Sequence, residues 1–90
     1  MQDISEVLER MSACQGEPIT MRRGKILTYA LEGNNVIVSR DGREHKIHVG
    51  QFAKALKLVP AENTTPFHYL YGSSYIYAIL DDPRIRMNDW

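Results

Sequence analysis

Two dipeptides, Gly33-Asn34 and Asp41-Gly42, restrict most strongly what this chain can fold into. They separate three strand-like runs, residues 26–32, 35–40 and 44–49. Gly-Asn suits a type II′ turn and Asp-Gly a type I′ turn, because both turns need positive φ at positions these residues tolerate. A two-residue loop also fixes the pairing. With Asp41-Gly42 as the loop, Val38 opposes His45 and Val36 opposes Ile47. With Gly33-Asn34 as the loop, Leu31 opposes Val36 and Tyr29 opposes Val38. The two loops agree on one apolar face: Leu27, Tyr29, Leu31, Val36, Val38, Ile47 and Val49. Thr28, Ala30, Ile37, Ser39, Glu44, Lys46 and His48 fall on the other face. A slip of one residue would exchange the faces, so this agreement predicts a three-stranded antiparallel meander with one greasy side.

Helical spacing flanks the meander. Ile4, Val7, Leu8 and Met11 repeat at i, i+3, i+4, i+7, with Asp3 as N-cap and Glu6 completing a capping box, which predicts a helix over 3–14. Gly16 and Pro18 lie where it should stop. Phe52, Ala55, Leu56 and Val59 predict a second helix over 50–59, capped by Gly50 and ended by Pro60. Residues 60–72 read as loop. A short third helix over 73–81 starts at Ser73 or Ser74, runs through Ile76, Ile79 and Leu80, and breaks at Asp82-Pro83, leaving 82–90 as a tail. The expected fold is a single α+β domain of order α-β-β-β-α-α, its sheet covered by helices on one side.

A chain of 90 residues, 43% hydrophobic and 24% charged, has the size and composition of one globular domain. Its eleven basic and eleven acidic residues cancel, which disfavours a surface built mainly to hold phosphates. The single cysteine, Cys14, permits no intrachain disulfide. The first residues lack the apolar stretch of a secretory signal, and no apolar run reaches the roughly 18 residues a membrane span needs. The expected compartment is the cytoplasm, with no membrane partner.

Sites for chemistry are hard to assemble. His45 and His48 form an H-x-x-H pair, but residues three apart on a strand point to opposite faces, so no metal site is expected. Cys14 falls at a helix C-terminus, where the dipole disfavours a thiolate. Asp81 and Asp82 are adjacent and read as a helix stop with Pro83. Glycine-rich phosphate loops, nucleophile elbows and zinc-ligand spacings are missing. The chain is expected to be no enzyme and to carry no cofactor.

Two groups of residues remain as candidates for binding. Four of the five tyrosines lie within residues 69–77. Tyrosine gives contact area at little entropic cost, so Tyr69, Tyr71, Tyr75 and Tyr77, with Trp90, are the candidate protein interface. Arg22, Arg23, Lys25, Arg40, Arg43 and Lys46 are the alternative, a nucleic-acid surface. The order α-β-β-β-α is shared with double-stranded-RNA-binding domains, but the second helix lacks their dense basic start. The leading expectation is a small protein-binding module, such as a bacterial or phage accessory protein that inhibits or regulates a larger defence complex. A homodimer through the open sheet face or an unpaired edge strand is a further expectation.

Overall fold

A computed structural model describes residues 3–21, 24–59, 65–68, 70–87 and 89–90. The elements are α1 (Ile4–Cys14), β1 (Ile19–Thr20), β2 (Ile26–Glu32), β3 (Asn35–Arg40), β4 (Arg43–His48), α2 (Val49–Ala55), a 3-10 turn (Thr65–Phe67), α3 (Ser73–Asp81) and α4 (Pro83–Arg86). The fold is α+β around an antiparallel sheet, and both hairpins have the expected register: Tyr29 opposes Val38, Leu31 opposes Val36, Val36 opposes Ile47 and Val38 opposes His45. Asp41 and Gly42 both have positive φ, as type I′ requires, whereas at the other turn only Gly33 does, as in type II′.

The sheet has four strands rather than three, in the order β1-β2-β3-β4. The additional strand is only two residues long, too short to show any alternation, yet it pairs Ile19 with Leu27 and Thr20 with Ile26. The preceding residues continue its work. Gly16 N–H donates to the Tyr29 carbonyl at 2.8 Å, and the Gln15 side-chain oxygen accepts from Leu31 N–H at 3.0 Å. Residues 15–20 thus meet the outer main chain of β2 at Leu27, at the Tyr29 carbonyl and at the Leu31 N–H.

Leu27, Tyr29, Val36, Val38 and Ile47 are buried on one sheet face with Leu31 half-buried beside them, while Val49, expected at the end of the last strand, instead opens α2. The helices supply the opposing layer: Val7 and Met11 from α1, Phe52 and Ala55 from α2, Ile76 to Leu80 from α3 and Ile85 from α4. Asp3 caps α1 by accepting from Ser5 N–H at 2.8 Å. At the other end of α1, Gln15 N–H turns to the Ser12 carbonyl, and the Met11 carbonyl accepts the Tyr29 hydroxyl at 2.6 Å. A core tyrosine therefore fills one of the carbonyls a helix end leaves open. Burial pushes the Tyr29 phenol well above its ordinary range, with the nearby Cys14 adding to the effect.

Three helix boundaries differ from expectation. Gly50 does not cap α2: the cap is His48, whose Nδ1 accepts from Gly50 N–H at 2.9 Å. The helix stops at Ala55 because the next turn tightens, with Lys57 and Leu58 N–H donating three residues back to Lys54 and Ala55. Pro60, the expected stop, lies outside the described residues, as do 61–64 of the expected loop. Neither Ser73 nor Ser74 caps α3; Gly72 does, in the left-handed conformation at φ 73°. The expected tail holds a helix of its own. Asp82 ends α3 and caps α4 by accepting from Arg84 N–H at 2.8 Å, with Pro83 at the first helical position, where its missing N–H costs nothing.

Candidate functional site

Among the described residues every helix packs on one side of the sheet, and the other face is bare. By register it carries Thr20, Ile26, Thr28, Ala30, Ile37, Ser39, Glu44 and Lys46. Ala30, Ile37 and Lys46 form one cross-strand row, and Thr28, Ser39 and Glu44 the next. Ile26 is 58% exposed, a large apolar side chain left in water. Glu32, Ile37, Glu44 and Lys46 line one shallow hollow, so charges of both signs surround an isoleucine. The face is flat, small-sided and mixed in charge.

The tyrosine segment is divided between core and surface. Tyr77 is buried and its ring packs against Phe67 with centroids 5.9 Å apart. It cannot present a surface, because Ile76 to Leu80 are buried consecutively and this stretch of α3 has no outward face. Tyr75 is half-buried over β4. Its hydroxyl lies 3.2 Å from His45 Nε2 and the two rings are 4.9 Å apart. Tyr71 is 59% exposed on the turn before α3. Tyr69 lies outside the described residues. Trp90 is a tether: half-buried, it donates its indole N–H to the Leu80 carbonyl at 3.1 Å, and Arg86 donates to its main-chain oxygen while pairing with Asp81 at 2.8 Å. Of the four interface candidates among the described residues, Tyr71 is the one that is exposed.

The basic candidates are spread over the sheet rather than gathered. Lys46 stands on the bare face between Glu32 and Glu44. Arg40 and Arg43 oppose each other beside the Asp41-Gly42 turn and share the parity of Val38 and His45, which places them on the helix side of the sheet. Arg40 is paired with Asp41 at 3.2 Å. Lys25 is exposed in the β1–β2 connection, where its carbonyl accepts from Met21 N–H at 2.6 Å. Arg22 and Arg23 lie outside the described residues.

His45 and His48 face opposite sides of β4, His45 toward Tyr75 and His48 toward the start of α2. Among the described residues no group of three or more His, Cys, Asp or Glu side chains is arranged to hold a metal. The strongest polar cluster is structural. Arg84 donates to both Asp82 carboxylate oxygens, at 3.0 and 2.9 Å, and reaches the Pro18 carbonyl at 3.2 Å, tying α4 to the approach of β1. The Arg84 side-chain hydrogen bonds hold the Asp82 carboxyl below its ordinary range against the opposing effect of burial. Arg10 likewise joins α1 to the Ile85 carbonyl and to Asp89.

The exposed Ile26 is a feature that sequence reasoning missed, although alternation from Leu27 signals its direction. No helix among the described residues is long and apolar enough to cross a membrane. Comparison with known proteins finds no matching family model, no matching curated protein and no matching solved structure.

Proposed function

We propose that this domain is a non-enzymatic protein-binding module that inhibits or regulates a larger complex, in the manner of a bacterial or phage accessory protein, and that it works through the bare face of its sheet. The observation that carries this reading is the cross-strand pair of Ala30 and Ile37, with the exposed Ile26 beyond Thr28 on the same face, among Glu44, Lys46 and small hydroxyl side chains. An apolar pair ringed by charges of both signs suits a protein surface with matching ions. A phosphate backbone would meet Glu32 and Glu44 beside Lys46, which works against counterion release as a source of affinity.

The test is capture of a partner by the tagged full chain, identification by mass spectrometry, and titration of the purified pair. Ile37→Arg should weaken the measured affinity by about tenfold or more, the size of effect expected at the centre of an interface. Unchanged affinity would remove the bare face from consideration. A low-salt shift of DNA or RNA that Arg40→Ala and Arg43→Ala abolish would instead favour the nucleic-acid reading, with Arg40 and Arg43 among its contacts.

A further inference from the structure

The two edges of the sheet are finished differently. In β2 the residues whose main chain faces away from β3 are Leu27, Tyr29 and Leu31, and the segment 15–20 meets them through Ile19, Gly16 and Gln15. At the other edge, the Asp41-Gly42 turn makes Arg40 and Arg43 a hydrogen-bonded pair, so His45 and Ile47 also point their main chain at β3. The contact from Val49 N–H to the Asn34 carbonyl at 2.9 Å continues the same alternation. The N–H and C=O groups of Glu44 and Lys46 consequently face outward, and among the described residues no main-chain group meets them.

We infer that this edge is occupied by a second copy of the chain, β4 pairing antiparallel with β4 across a two-fold axis at His45. Charge complementarity chooses the partner and the register. With the axis at His45, Glu44 of each copy lies directly opposite Lys46 of the other, on the bare face, and the outward main-chain groups of both residues meet. Opposite charges directly across strands stabilise a pair and like charges destabilise it. Moving the axis to Lys46 sets Lys46 against its twin, and moving it to Glu44 sets Glu44 against its twin. Charged edge strands discourage pairing with arbitrary strands; this charge order is compatible with its own antiparallel image. The paired copies form one continuous sheet in which two bare faces lie side by side. This inference concerns the sheet edge and stands apart from the proposed partner of the face.

Sedimentation of the full chain over a concentration series reads the result. The native chain should move from a mass of 10.3 kDa toward twice that value as concentration rises. Glu44→Lys and Lys46→Glu, both at exposed positions, should each stay monomeric over the same series. An equimolar mixture of the two should recover the dimer, because each then offers the charge the other lacks, and the double variant with both exchanges should dimerise alone. A native chain that remains monomeric throughout overturns the inference. So does a dimer that persists in both single variants, or a mixture that fails to recover it. The effect of Ile37→Arg on partner affinity is read separately, so failure of the edge and failure of the face can be told apart.

Discussion

Gly72 shows how much one position can decide. Its φ of 73° is a conformation side chains rarely adopt, and a Cβ there would lie 2.5 Å from Ile47 Cδ1. Ile47 is fully buried and has little room to yield. Gly72→Ala should therefore destabilise the domain by roughly 2–4 kcal/mol, combining left-handed strain with overpacking, and urea denaturation measures it. The sequence marks Gly72 only as part of a loop, because the contact that requires glycine comes from a strand more than twenty residues earlier. Tyr77 was obscured for a related reason: tyrosine suits both core and surface, and only the consecutive burial of Ile76 to Leu80 separates the two.

At the scale of elements, short-range chemistry was readable and long-range closure was not. The turn dipeptides and the alternation around them specify β2, β3 and β4 to the residue pair, since turn type and face pattern are local properties. Asp3 and the spacing of Ile4, Val7, Leu8 and Met11 likewise specify α1. By contrast β1 has two residues, and its pairing with β2 depends on where α1 delivers the chain. The Asp82-Pro83 signal was visible but serves two helices, ending one and starting the next. The bond between Tyr29 and the Met11 carbonyl joins β2 to the end of α1, so Tyr29→Phe should cost about 1–2 kcal/mol while leaving the ring packed. Because the folded phenol titrates above its unfolded value of about 10, the native chain holds its full stability below that pH and loses it as pH rises beyond. Chemical denaturation across the alkaline range should show this loss in the native chain and a smaller one in Tyr29→Phe.

At the scale of the molecule, among the described residues one side of the sheet is buried under helices and one is bare, and one edge is met by residues 15–20 while no main chain meets the other. Formal neutrality was evident from composition; the interleaving of Glu32, Glu44 and Lys46 with Ile37 needed the register. Of the described aromatic candidates, Tyr77 is buried, Tyr75 and Trp90 are half-buried with polar partners, and Tyr71 is exposed. All of this depends on the alternation of main-chain groups along β4. Residue-by-residue amide hydrogen exchange in dilute solution tests it directly. The His45 and Ile47 amides should exchange slowly, at rates set by unfolding, while Glu44 and Lys46, which alternate with them along the strand, exchange orders of magnitude faster. Uniform protection along β4 in dilute solution would contradict the account, since the edge would then be covered within a single chain.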